Sequence, residues 1–163
     1  MPHFEATSDI ALLNALLGPI PQYVSFFVTG RFWIGHHQLF TLIDHADDAF
    51  IWRNRLLLLA IAFMPFPTAI VGEFAVLRSG VCFYAMWLAF AGWQNLRLVK
   101  YAQENLTTAQ TSAEFKAVRR NARLPIASGL AACALGLFQP LLALVPMIAS
   151  PLIVKISRRA FTG

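Results

Sequence analysis

The chain has 163 residues, of which 58% are hydrophobic and only 13% are charged, and its mean hydropathy is +0.60. A soluble domain keeps about a quarter of its residues charged, so this composition excludes an ordinary soluble fold and predicts that lipid surrounds most of the protein. The net charge of +5 does not indicate nucleic-acid binding, because basic residues in membrane proteins mainly orient the helices.

The first candidate element is residues 4–20, FEATSDIALLNALLGPI. Its apolar part is shorter than the roughly 17 residues needed to cross the hydrocarbon layer, unless the polar run Thr7, Ser8 and Asp9 belongs to the helix. Ser8 and Asp9 are interpreted either as helix caps or as partners of the histidines described next. The chain is therefore predicted to be an all-α membrane protein with six transmembrane helices, or five if this segment does not cross.

The second span, residues 22–43, contains RFWIGHHQLF, which places ionisable groups in an apolar segment. Ser25, Thr29, Trp33 and His37 recur every four residues, and His36 follows Trp33 by three. This spacing predicts one polar-aromatic stripe that forms an interhelical hydrogen-bond network. Two alternatives stay open: the histidines anchor the helix at the cytoplasmic interface, or they form a metal or proton site.

Arg31 lies near the middle of the same span. An arginine at this depth is expected either to face the bundle interior with a partner or to extend toward the outer interface. Candidate partners are Asp9, Glu5 and Glu73.

The run DHADD, residues 44–48, follows the span directly. Asp47 or Asp48 is expected to cap the next helix, because carboxylates accept hydrogen bonds from the first free N–H groups. Metal ligation by this loop together with His36 and His37 is the alternative.

The later spans are longer apolar segments. Pro65 and Pro67 interrupt the third, which is tolerated where neighbouring helices or water satisfy the freed carbonyl groups. Residues 99–122 are predicted to be a cytoplasmic linker that is partly helical and lacks a sustained apolar stripe. Cys82 and Cys133 lie in apolar segments and are interpreted as small core residues, with no disulfide expected. The four predicted spans are residues 54–72, 77–98, 123–139 and 140–155.

Basic residues predict the orientation. Eleven of them lie in three regions, residues 53–55, 97–123 and 155–159, whereas the alternate loops contain only Arg78. The positive-inside rule therefore predicts that these three regions are cytoplasmic. With six spans, both termini are cytoplasmic.

Three segments, FEATSD, FWIGHHQLF and IWRNRLLLLAIAFMPFPTAIVGEF, resemble in that order the signatures of the transmembrane protein 175 family of potassium channels. The resemblance implies a prokaryotic single-repeat member, a homotetramer in the cell membrane. It implies a potassium-selective channel, not an enzyme, with K⁺ as the permeant ion and no cofactor or metal. In the family the first helix lines the pore, and the TVGYG filter is absent, as it is in this sequence.

The resemblance also implies roles for particular residues. Ser8 and Asp9 match a first-helix motif that is tied to Trp33 and His37, or His36, on the second helix and to Asn54 on the third. The chain departs from the family at Thr7 and His3, where the motif has Phe and Arg. The family's aliphatic constriction positions fall on Asn14, Gly18 and Gln22, so the first helix is expected to be shortened. The remaining candidates for the constriction are Leu12, Leu13 and Leu16.

Two other functions are weighed against a potassium channel. A proton-conducting channel or proton-coupled transporter would use His37 and Asp9 as a relay, because histidine titrates near neutral pH. An intramembrane metalloenzyme would need several histidine boxes, and the chain has four histidines in all.

Overall fold

The computed structural model describes residues 20–74, 77–108, 113–139 and 143. Within these residues the chain is all-helical, as predicted, and contains no strand. The predicted first segment, apart from Ile20, and the predicted last span, apart from Ala143, lie outside the described residues, so the count of six helices stays a prediction. The helices are α1 (Ile20–Phe40), α2 (Asp48–Ala62), α3 (Pro65–Phe74), α4 (Arg78–Asn105) and α5 (Ala113–Phe138).

Two stretches of the described chain are long and apolar enough to cross a membrane. One is Asp48–Phe74, which contains α2 and α3, and the other is Ala113–Phe138, which is α5. Only 33% and 28% of their apolar windows are buried within the chain. A core helix of a soluble protein buries most of its apolar surface, so these faces are suited to contact lipid or other subunits.

The break between α2 and α3 is caused by proline. Pro65 lacks an N–H group, and the turn before it tightens so that the Met64 N–H bonds to the Ile61 carbonyl at 3.0 Å, not to the Ala60 carbonyl. The indole Nε1 of Trp87 on α4 donates to the freed Ala60 oxygen at 3.0 Å. A neighbouring helix thus supplies the donor for the carbonyl freed by the tightened turn.

Helices α4 and α5 form the most closely packed pair. A Cβ atom on Gly129 would lie 2.5 Å from the Ala85 carbonyl oxygen, and one on Gly92 would lie 2.9 Å from the Pro125 Cβ. The two backbones approach this closely only because these positions lack side chains. Such small-residue packing joins helices in lipid, where apolar surface alone does not favour helix over lipid.

The segment predicted as a linker, residues 99–122, is helical over most of its length. Helix α4 continues to Asn105, and α5 begins at Ala113. Contrary to the expected absence of an apolar stripe, buried residues recur at helical spacing through both ends. On α4 and α5 these are Leu98, Val99, Ala102, Phe115, Val118 and Ala122. Alanines supply part of the stripe, and because alanine is only weakly hydrophobic, the stripe differs little in hydropathy from the polar residues around it.

Replacing Trp87 with Phe tests the bond across the proline break. The variant keeps an aromatic ring but leaves the Ala60 carbonyl without its donor, which destabilises the protein by about 1–3 kcal/mol. The measurement is the thermal unfolding midpoint in detergent. The matched control is Trp52→Phe, because Trp52 is 61% exposed. Equal midpoints for the two variants would show that the Trp87 bond does not stabilise the break.

Candidate functional site

His36 joins the end of α1 to α2. Its Nε2 lies 2.7 Å from the Asn54 Oδ1, so with this amide orientation the imidazole donates through Nε2. The Trp33 ring stacks on His36 with centroids 5.9 Å apart, and the Phe40 ring lies 4.5 Å from it on the next turn. Two aromatic rings and one hydrogen bond therefore fix the position of this imidazole.

His37 lies on a different side of α1 and is exposed. The resemblance gave His37, or His36, and Asn54 as residues tied to the first helix, and within the described residues it is His36 that contacts Asn54. Successive residues of a helix are rotated by about 100°, so adjacent histidines cannot share a partner.

The predicted polar stripe does not lie on one face. Ser25 is buried, Thr29 is half-buried, and Trp33 and His37 are exposed. A repeat of four residues advances by about 40° per step beyond a full turn, or about 120° from Ser25 to His37. The stripe therefore winds from the interior to the surface.

One face of α1 is exposed and mainly aromatic. At 100° per residue its side chains occupy an arc of about 140°. We call this the aromatic face of α1, and it consists of Tyr23, Phe26, Phe27, Trp33, Ile34, His37 and Phe40. The other predicted site residues, Ser8, Asp9, Leu12, Leu13 and Leu16, lie outside the described residues.

Arg31, on α1, lines a cavity of about 30 Å³ that lies between α1, α4 and α5. Three amide side chains, Gln38, Asn95 and Asn121, also line the cavity. A water needs about 10–15 Å³ of such space and two or more polar partners, so the cavity has room and partners for water beside the guanidinium. Of the partners predicted for Arg31, Glu73 is exposed. The other two, Glu5 and Asp9, lie outside the described residues.

The DHADD loop caps α2 and also contacts α4. Asp47 accepts a hydrogen bond from the Phe50 N–H at 2.7 Å, which confirms the predicted cap. Its other carboxylate oxygen accepts from the Tyr101 hydroxyl at 2.5 Å, and the Arg53 guanidinium lies 4.1 Å from the centre of the Tyr101 ring. Among the described residues, no group of three or more His, Cys, Asp or Glu side chains is arranged to hold a metal ion.

The bond between Tyr101 and Asp47 shifts both pKa values. The Tyr101 hydroxyl first, and the Phe50 N–H second, hold the pKa of Asp47 below its ordinary value of 3.8 because both donate to the charged carboxylate. The same bond raises the pKa of Tyr101 above its ordinary value of 10.0. Asp44 makes a second connection: it accepts from the Thr108 N–H at 3.0 Å, and its own N–H donates to the Leu106 carbonyl at 2.9 Å.

Sequence reasoning missed Tyr101, Asn95 and Asn121. At least one helix lies in the sequence between each of these residues and the Asp47 loop or Arg31 near which it packs. A single polar residue in a helix does not indicate which other helix it contacts. The only sign in the sequence that these residues have a role is that they are polar residues in mostly apolar or basic stretches.

Comparison with known proteins supports the sequence interpretation. Residues 1–65 match the family model described as endosomal/lysosomal potassium channel TMEM175. A potassium channel of Chamaesiphon minutus is 32% identical over 80 residues, which is 47% of this chain and 39% of the relative. A potassium channel of Streptomyces collinus is 39% identical over 67 residues, covering 39% of this chain and 32% of the relative. The matched segments thus span less than half the length of these relatives.

The fold is also similar to a solved structure. The crystal structure of a lysosomal potassium-selective channel TMEM175 homologue from Chamaesiphon minutus superposes with a TM-score of 0.73 and 26% identity. The match covers 96% of this chain and 84% of that one. In fold and in matched sequence the chain is thus similar to helical membrane proteins named as potassium channels. This similarity agrees with the resemblance carried by the N-terminal motifs.

Replacing His36 and Asn54 tests their contact. His36→Ala removes a hydrogen bond and two ring contacts, which should lower the free energy of unfolding by about 1–3 kcal/mol. Asn54→Ala should have a smaller effect, and the double variant should lose less than the sum. The control is Arg55→Ala, because Arg55 follows Asn54 on α2 and is exposed. Strictly additive losses, measured by thermal or denaturant unfolding, would contradict the contact.

Replacing Tyr101 with Phe tests the loop contact through its pH dependence. The pKa of Asp47 is lowered in the folded state. The carboxylate therefore stabilises the fold fully above pH 3.8, its ordinary pKa, and this stabilisation is lost as the pH falls through the folded pKa. Tyr101→Phe should therefore lower the unfolding midpoint at neutral pH. At acidic pH the midpoint of the variant should approach that of the unsubstituted protein. Tyr23→Phe, at a residue that is 62% exposed, is the control. A midpoint difference that does not change with pH would refute this assignment.

Proposed function

We propose that this chain is one subunit of a potassium-permeable channel. The observation that carries the proposal is the fold match to a potassium-selective TMEM175 homologue over 96% of this chain. Sequence relatives named as potassium channels also support it.

The proposed pore is a hydrophobic constriction formed by the first helix of each subunit. Leu12, Leu13 and Leu16 are the candidate side chains, because they are bulky aliphatic residues that follow Asp9 within one short segment. An ion that enters a narrow apolar neck must lose part of its water shell. Because K⁺ is less strongly hydrated than Na⁺, such a neck favours K⁺ modestly, and it closes by dewetting. K⁺ acts here as the permeant ion, and the proposal includes no cofactor.

We propose that α1 supports this pore helix. Trp33 and His37 lie on the aromatic face of α1, while His36 and its bond to Asn54 fix the same turn of α1 against α2. Ser8 and Asp9 on the first helix are the proposed partners at this face. A carboxylate and a hydroxyl in lipid need such donors, because the surrounding hydrocarbon offers none.

The channel is proposed to be a homotetramer in the cell membrane of a prokaryote, with both termini in the cytoplasm. The apolar helices support the membrane location. The excess of eleven basic residues over one on alternate sides supports the orientation. The exposed aromatic face of α1 supports assembly, because a partner helix or lipid must cover it.

Ion flux into proteoliposomes tests the function. We expect K⁺ to enter faster than Na⁺. Alanine in place of Leu12, Leu13 or Leu16 should reduce this preference if the replaced residue forms the neck, because a wider neck leaves the ion hydrated. Leu130→Ala is the control, because Leu130 is 62% exposed on α5. A pH-sensitive dye in the same vesicles separates K⁺ conduction from the proton conduction considered above. Vesicles that stay impermeable to K⁺ at every voltage would refute the channel.

A further inference from the structure

Helices α4 and α5 pack antiparallel with a fixed register. The Gly136 Cβ position lies 3.3 Å from Val81 and that of Gly129 lies 2.5 Å from the Ala85 carbonyl oxygen. Toward the other end, the Gly92 Cβ position lies 2.9 Å from Pro125. As residue numbers rise along α4 they fall along α5, so this register brings residues 82 and 133 together.

The structure places two free thiols at that point. The Cys82 sulfur lies 3.8 Å from the Cys133 carbonyl oxygen, so the two residues face each other across the helix pair. Both side chains are half-buried, and neither forms a disulfide in this structure. The two cysteines, interpreted from the sequence as small core residues, thus form a facing pair on the most closely packed helices of the described chain.

The pair also lies close to the ends of its helices. Cys82 follows Arg78, the first residue of α4, by four positions, and Cys133 precedes Phe138, the last residue of α5, by five. At 1.5 Å per residue these separations are about 6–8 Å along the helix axes. In the orientation proposed above, this end of the bundle faces outward, where disulfides persist.

We propose that Cys82 and Cys133 are a redox modification site, at which exchange with a small-molecule disulfide forms a reversible intrachain disulfide between α4 and α5. In the first step one thiol loses its proton, and its sulfur attacks the small disulfide, releasing one small thiol and leaving a mixed disulfide. The second sulfur, also deprotonated, displaces the other small thiol. Two protein thiols are oxidised, one small disulfide is reduced to two thiols, and the protons end on the released thiols.

The bond would fix the register of α4 against α5 near one end of the bundle. The glycines that bring the backbones together make this possible, because a disulfide requires Cα atoms less than about 7 Å apart. The cross-link also restricts the unfolded chain between residues 82 and 133, so the oxidised protein should unfold at a higher temperature than the reduced protein.

The test uses the full chain in detergent, incubated with oxidised glutathione and then with iodoacetamide, and read by intact mass and by a gel without reductant. We expect a monomeric product that has lost two hydrogens, carries no glutathione and takes up no alkyl group. Dithiothreitol should restore two alkylatable thiols. Persistent alkylation, stable glutathione adducts or disulfide-linked dimers in the unsubstituted protein would overturn the proposal.

The matched control moves one thiol by a single residue. In the double variant Cys133→Ala/Ala134→Cys the sulfur is rotated by about 100° around α5, to a position that is exposed in this chain. It should give glutathione adducts or alkylated thiols but no internal bond, and oxidation should not raise its unfolding midpoint. An internal bond that forms equally well in this variant would contradict the facing geometry. If this variant fails to fold, Cys82→Ser is the second control and should carry a single adduct. None of these readouts depends on K⁺ flux, so their failure would be distinct from failure of the proposed channel.

Discussion

A carbonyl group that loses its helical partner in lipid must find another donor within the protein, and the bond from Trp87 to the Ala60 carbonyl meets this requirement at the proline break. The same requirement explains the other polar contacts of the bundle. His36 pairs with Asn54, and the Thr68 hydroxyl donates to the Met64 carbonyl at 2.8 Å. The bonds of Trp87 to Ala60 and of His36 to Asn54 join different helices, which lipid would not hold together because hydrocarbon competes equally well for their apolar faces. The Thr68 bond is local to the start of α3.

Close packing of small residues is the second source of cohesion, and it acts where polar bonds are few. Along α4 and α5 the glycines allow the backbones to approach, and the facing cysteines lie within this region. Hydrogen bonds join α1 to α2 and α2 to α4, whereas close backbone packing dominates between α4 and α5. Most of the aromatic face of α1 stays exposed, and it is the surface proposed above for the pore helix.

The sequence predicted what depends on local pattern. The apolar runs, the cap at Asp47 and the effect of Pro65 follow from neighbours a few residues apart, and short N-terminal motifs carried the resemblance to the family that the comparisons also match. It did not predict which histidine meets Asn54, because that depends on the rotation of α1 about its axis. The surroundings of Arg31 were also missed, since Asn95 and Asn121 reach it only through the tertiary packing of α4 and α5. The apolar stripe in residues 99–122 was not predicted, because alanine supplies part of it and is only weakly hydrophobic.

The most direct test of the account is a cryo-electron microscopy structure of the assembled protein in lipid nanodiscs. The account predicts several copies around one axis, with the first helix of each lining an aqueous passage and contacting the aromatic face of α1. An assembly in which that face contacts only lipid, with a central axis closed by α4 and α5 and no water passage, would contradict it.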